Sequence, residues 1–214
     1  SKKGRINNDF LVSYTKEVLG INNAKEIVQE LENAQIIRYH KYKDSYTLFE
    51  GSDIDVEKEI ERKKRQVGLL ENMEFELLKH VTLEYEIAKR ITYEKGTPRI
   101  FKYLVTGDKL KEETFEIGGH DGVINIYFRE SESINNDTQL PILYCNISDL
   151  DSLYEIVFNL YIVDKILFEN ILDTVGRIEI QDYKEFLIRR LNFEFYGGIY
   201  SNKATWSYQG EIVS

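Results

Sequence analysis

The sequence is poor in the residues that staple or punctuate small folds, with one cysteine, two prolines, one methionine and one tryptophan in 214 positions. A lone Cys145 allows no internal disulfide, which fits a reducing compartment. No apolar run approaches the roughly 20 residues that span a bilayer, so no membrane partner is expected. The opening Ser-Lys-Lys-Gly-Arg leads into polar Asn-Asn-Asp where a signal peptide would place its apolar core. A cytoplasmic location is therefore expected. Because the first residue is not Met, the chain is also expected to be a piece of a longer polypeptide. Several chemistries lack their motifs: there is no Gly-x-Ser-x-Gly elbow and no Gly-x4-Gly-Lys-Ser/Thr phosphate loop, and Gly118-Gly119 precedes a strand where a dinucleotide fingerprint would open a helix. No cofactor is expected.

What is present is apolar content of 42% and charged content of 30%, a composition that folds. Charge is divided unevenly. Residues 1–103 carry 19 Lys/Arg against 18 Asp/Glu, whereas 104–214 carry 9 against 19, so the second half holds the whole negative excess behind the net −9. An acidic surface repels phosphate backbones, which assigns any DNA contact to the first half and protein contacts to the second.

Along the chain, Phe10, Leu11, Tyr14, Val18 and Leu19 recur at helical spacing, with Gly20 as a stop. A second helix is expected over 23–33, capped by Asn22 or Asn23. Residues 35–49 then alternate β-branched and aromatic residues around Lys43, Asp44 and Ser45, a hairpin signal. Two short helices followed by a hairpin make a winged-helix pattern. A charged helix is expected from 54 to about 67; its Arg62, Lys63, Lys64 and Arg65 alternate with acids and read as a solvated, ion-paired face, the alternative being a phosphate-binding strip. A longer helical stretch, with a break near Thr82, is expected over 73–95, ended by Gly96-Thr97-Pro98. Strands are expected at 100–105, 114–117, 123–128 and 142–147, helices from Asp149 to about 172 and over 180–193, and a strand or ordered loop from Tyr196-Gly197-Gly198 onward.

The candidate chemistry is sparse. His40, His80 and His120 are dispersed without the close spacing of zinc sites. Gly51-Ser52-Asp53-Ile54-Asp55 places a small-residue turn beside paired carboxylates, as metal-dependent nucleotidyltransferases do, but with the turn adjacent where that chemistry spaces it about ten residues away; Ser52 and Asp55 equally suit a capping box. Cys145, inside a strand run, reads as a small buried hydrophobe. The stretch 88–101 joins Lys89, Arg90, Lys95 and Arg99 to Tyr93 and Phe101, either a phosphate-and-base surface or cations in ion pairs with the aromatics in the core.

Taken together, Ile36-Ile37-Arg38-Tyr39, Tyr46 through Glu57 with its Phe-Glu-Gly-Ser-Asp turn, Ala88-Lys89-Arg90, Tyr93, Gly96-Thr97-Pro98-Arg99, Phe101 and Gly119-His120-Asp121-Gly122 resemble the region that follows the P-loop core in very large bacterial ATPases. These include the ATPases of bacteriophage exclusion (BREX) systems and related genome-defence islands. The resemblance covers about 35–130, with a weaker echo over 164–190. It implies a winged-helix and α/β arm beside an ATPase whose nucleotide-binding residues lie outside this chain, so it carries over no catalytic residue.

The expected fold is α+β: a winged-helix unit over 1–52, a charged helical connector over 53–95, and an α+β domain over 96–214 with a mainly antiparallel sheet and covering helices. The expected function is a non-catalytic interaction module of a large anti-phage ATPase. Contacts to DNA or a partner subunit are expected through Arg38, His40, Lys41 and Lys43 on the wing and Lys89, Arg90 and Arg99 at the junction, and the acidic half is expected to dock protein. The alternatives are a free-standing winged-helix DNA-binding regulator and a divalent-metal nuclease or nucleotidyltransferase using Asp53 and Asp55.

Overall fold

A computed structural model describes residues 5–49, 55–110, 119–129, 141–169, 172–201 and 204–213. Two helices, α1 (Asn8–Glu17) and α2 (Ala24–Asn33), precede an antiparallel hairpin of β1 (Ile37–His40) and β2 (Ser45–Leu48). Helices α3 (Val56–Val67) and α4 (Met73–Leu78), strand β3 (Glu86–Ile87) and helix α5 (Lys89–Lys95) follow. Strands β4 (Ile100–Asp108), β5 (Gly122–Arg129) and β6 (Ile142–Ile147) lead to the paired helices α6 (Asp151–Glu169) and α7 (Thr174–Ile199), and the described chain closes on the hairpin β7 (Ala204–Tyr208) and β8 (Glu211–Val213). Strands β3 to β8 form one sheet in sequence order. No helix among the described residues is long and apolar enough to cross a membrane.

The sheet is mixed, and this corrects the mainly antiparallel expectation. Its edges pair antiparallel, but β4, β5 and β6 run parallel, Val105 opposite Ile126 and Ile126 opposite Cys145. Central parallel strands are buried on both faces and read as continuous apolar runs, where a half-exposed antiparallel strand would alternate. Strand β5 has this character, buried from Gly122 to Phe128. One face, with Val105, Ile124, Ile126, Phe128, Cys145 and Ile147, packs with Leu77 of α4, Val157 and Leu160 of α6 and Leu191 and Phe195 of α7 in the main core. The other buries Val123, Tyr127, Ile142 and Tyr144. Asn125, fully buried there, is satisfied: Oδ1 accepts from Leu110 N at 2.9 Å and Nδ2 donates to Thr106 Oγ1 at 2.8 Å. The expected strand at 114–117 lies outside the described residues.

Two helical expectations change. The break near Thr82 in the stretch over 73–95 is the start of an extended segment rather than a helix interruption, because from Val81 through Leu83, Tyr85 and Ile87 the apolar period is two, and the chain extends into β3 before turning into α5. Gly96 ends α5 in the left-handed conformation at φ 68°, as its position suggests. Conversely, Tyr196-Gly197-Gly198 is helical. The buried stripe Ile180, Leu187, Leu191, Phe195 and Ile199 keeps helical spacing to the end of α7, and a Cβ on Gly198 would stand 3.8 Å from Ile147, so the small residue lets the helix lie close on β6.

Helix α3 starts one residue after Asp55, whose side chain caps it by accepting from Lys58 N at 3.2 Å; Ser52, the other expected cap, lies outside the described residues. In its basic run Arg62 pairs with Glu59, Lys64 with Glu61 and Lys63, across to α6, with Glu169. Val56 and Ile60 of α3 and Met73 and Leu77 of α4 belong to the same core as α6 and α7.

Candidate functional site

The hairpin is where most of the expected contact residues gather. Its four-residue loop is closed by Asp44 at φ 48°, whose carboxylate accepts from the Tyr39 hydroxyl at 2.6 Å. The loop is not free. Tyr42 inserts against Tyr183 and Phe186 of α7, with ring centroids 4.9 and 5.6 Å away. Beside it, Lys43 Nζ lies 2.5 Å from Asp182 Oδ2, Arg38 lies 3.4 Å from Glu179 Oε2 and 5.5 Å from the Phe49 ring centroid, and Lys41 lies 3.2 Å from Glu57 Oε2.

His40 is buried, with Nε2 2.9 Å from Thr47 Oγ1. Burial, then the nearby Lys43 and Arg38, push its pKa below the ordinary value of 6.5, so it is neutral at pH 7. Burial also raises the Glu179 carboxyl against the opposing pull of Arg38. The cleft on this side, about 300 Å³, thus sets the cations Arg38 and Lys41 and the neutral His40 among Glu32, Asp55, Glu57 and Glu179, a lining in which acids outnumber cations.

At the helix-to-strand junction the cations again meet acids. Arg90 pairs with Glu94 one turn on, at 3.0 Å. Arg99 stands 2.5 Å from Asp121, whose other oxygen accepts from Ile100 N at 2.9 Å; that backbone bond, then Arg99, hold the Asp121 carboxyl below the usual range. Lys89 is exposed at the first position of α5. Phe101 packs on the core, but Tyr93 is 92% exposed, which corrects the expectation of a buried ring there.

The hairpin's other side carries a feature the sequence reading missed. Tyr46 N donates to Ile6 O at 2.8 Å, which lays the N-terminal segment along β2. The groove so formed against α7 is about 690 Å³ and is lined by Arg5, Lys43, Tyr46, Phe186, Arg190 and Phe193 among others. Arg189, also on its wall, pairs loosely with Glu185 at 3.6 Å, while Arg5 and Arg190 have no ion pair among the described residues. Phe193 is 78% exposed. The available signal was the 186, 190, 193 spacing, which puts two aromatics and a cation on one helix face off the core stripe.

The metal-dependent alternative gains no geometry: Asp55 is engaged as a cap with Lys58 Nζ at 3.1 Å, Asp53 lies outside the described residues, and no group of three or more His, Cys, Asp or Glu able to hold a metal occurs among those described. His80 is a buried tie: its Nε2 lies 3.2 Å from Asp164 Oδ2 but poorly aligned for a hydrogen bond, and Lys184 Nζ is 2.5 Å from the other oxygen. Cys145 is fully buried and its thiol is pushed up to about 12, which leaves no thiolate for nucleophilic work at pH 7. Comparison of the chain with protein-family models, with curated proteins and with solved structures finds no match in any of the three.

Proposed function

We propose that this chain is a non-catalytic interaction module whose groove between the N-terminal segment, the hairpin and α7 holds a single nucleic-acid strand. The observation that carries this reading is the pairing of two arginines that have no ion pair among the described residues with an open aromatic ring: Arg5 and Arg190 meet phosphates, and the exposed Phe193 offers its face to a base beside the half-buried Tyr46. The resemblance of residues 35–130 to the arm beside the P-loop core of genome-defence ATPases supports placing the module in a large cytoplasmic anti-phage ATPase. In that setting α1, α2 and the hairpin form a reduced winged-helix unit whose wing is folded back onto α7. A strand held in a groove is favoured over duplex reading by α2, the counterpart of a recognition helix, which exposes Glu26, Glu30 and Glu32 and offers Lys25 alone as a cation.

Fluorescence anisotropy of a labelled oligothymidylate, titrated with the protein at several salt concentrations, tests the proposal. Arg5→Ala and Arg190→Ala should each reduce the slope of log affinity against log salt by about 0.7. Phe193→Ala should weaken binding by about tenfold at unchanged slope. Absence of binding, or slopes and affinity unmoved by all three substitutions, refutes it.

A further inference from the structure

At the C-terminal end of α7, away from that groove, a second cavity of about 330 Å³ opens between the helix and the β3–β4 edge of the sheet. Its makeup is unusual in one respect: tyrosines supply all four rings and acids all of the charge. Tyr103 on β4 and the buried Ile199 lie at its base, Tyr196 and Tyr200 come from α7, and Tyr85 comes from the extended segment before β3. Glu84 and Glu86 stand at its rim. Tyr196 donates its hydroxyl to Thr82 O at 2.8 Å, which holds that ring against the extended segment. The Tyr103 hydroxyl is directed at Glu86 Oε2, 3.4 Å away, and meets the Tyr200 hydroxyl.

No cation answers this charge. Neither Glu84 nor Glu86 forms an ion pair among the described residues, and no Lys, Arg or His lines the cavity. Burial, Tyr200 and Glu86 raise the Tyr103 phenol well above its ordinary value, so the ring stays neutral with its electron-rich face intact. Ring faces attract cations through their quadrupole, and a carboxylate at the rim adds a hydrogen-bond acceptor and a full opposite charge. An anion or a neutral polar ligand would instead meet two carboxylates and no donor stronger than a phenol.

We infer that the cavity formed by Tyr85, Tyr103, Tyr196 and Tyr200 with Glu84 and Glu86 is a binding site for an organic cation, a guanidinium or alkylammonium group on a flexible stem. The inference is independent of the nucleic-acid groove and stands on different residues.

Isothermal titration of the 214-residue chain with argininamide, and with its uncharged isostere citrullinamide, tests it directly. Argininamide should bind saturably at millimolar concentrations and citrullinamide should not. Joint Glu84→Gln and Glu86→Gln substitution should weaken argininamide by about fivefold. Tyr200→Ala should weaken it by about tenfold, and because Tyr200 is 73% exposed its loss leaves the fold in place. A capped pentapeptide with a central arginine identifies the source of the cation: tighter binding than argininamide assigns the site to a partner's side chain, and equal or weaker binding assigns it to a free cation. Equal affinity for citrullinamide, no saturation with argininamide, or indifference to all three substitutions overturns the inference.

Discussion

Tyr42 fixes how the hairpin is held, and replacing it separates two effects of opposite sign. An isolated two-stranded hairpin is marginal in water, so β1 and β2 depend on their docking to α7. That docking consists of the Tyr42 ring against Tyr183 and Phe186, flanked by the Lys43–Asp182 and Arg38–Glu179 pairs. Aromatic pairs contribute about 0.5–1.5 kcal/mol each beyond area burial. Tyr42 is only half-buried, so its truncation costs less than the full removal of a core aromatic. The Tyr42 hydroxyl, by contrast, is buried with no well-aligned hydrogen-bond partner among the described residues. A buried unpaired hydroxyl costs about 1–3 kcal/mol.

Tyr42→Ala should therefore weaken the docking by about 2 kcal/mol net, the loss of the two ring contacts and of the ring's buried apolar area less the relief of the orphan hydroxyl. Tyr42→Phe, which keeps the rings and removes the orphan oxygen, should match or exceed the wild type. Native-state hydrogen exchange reads both at the affected place. In the Ala variant, amides of the β1–β2 ladder should open about thirtyfold faster, while those of β5 and β6 stay protected. Hairpin exchange unchanged in Tyr42→Ala would refute the docking. A Phe variant markedly less protected than the wild type would refute the orphan hydroxyl.

Asp164 lies partly buried between His80 and Lys184; burial works to raise its carboxyl, but the adjacent His80 ring and the Lys184 ammonium outweigh it and hold the pKa below the ordinary 3.8. A carboxyl lowered by folding stabilises above its unfolded value, and that contribution is lost as pH falls below 3.8 through the folded value, so Asp164→Asn should cost about 1 kcal/mol at pH 7 and flatten the acid limb of a denaturation profile; equal acid sensitivity would sink the assignment. Gly197 sits inside α7 with nothing within 4 Å of an added Cβ, so Gly197→Ala should stabilise by about 1 kcal/mol and raise the melting temperature by about 2–4 °C; a lower Tm by circular dichroism would mean that the helix ends before it.

Local pattern carried much of the fold. The hairpin over 35–49, the apolar runs of β5 and β6 and the Gly96 stop were legible because each is set within a few residues. The errors have local causes too. At Val81–Ile87 a two-residue period followed directly on a helical one and was absorbed into it, and at Tyr196–Gly198 glycine's weak helix preference outweighed a buried stripe that continued to Ile199. Strand direction was not legible in the same way, since a buried run fits either pairing until its neighbours are known.

Electrostatics shows the larger gap, and it bears on function. Read as a string, the chain divides into a neutral first half and an acidic second half, which assigns phosphates to one and protein partners to the other. In the folded chain, acids of the second half reach back: Glu179 meets Arg38, Asp182 meets Lys43, Glu169 meets Lys63 and Asp121 meets Arg99. Part of the acidic excess is therefore the counterpart of the chain's own basic residues and docks the hairpin, α3 and the start of β4 in place. What is left after that internal pairing is displaced from where the tally puts it. Among the cations with no ion pair among the described residues, Arg5 and Arg190 come from opposite ends of the chain to line one groove, and Glu84 and Glu86, likewise without an ion pair there, meet at one cavity inside the half that looked neutral. Binding capacity follows the charges that folding leaves without partners, and those are fixed by contacts between residues far apart in sequence.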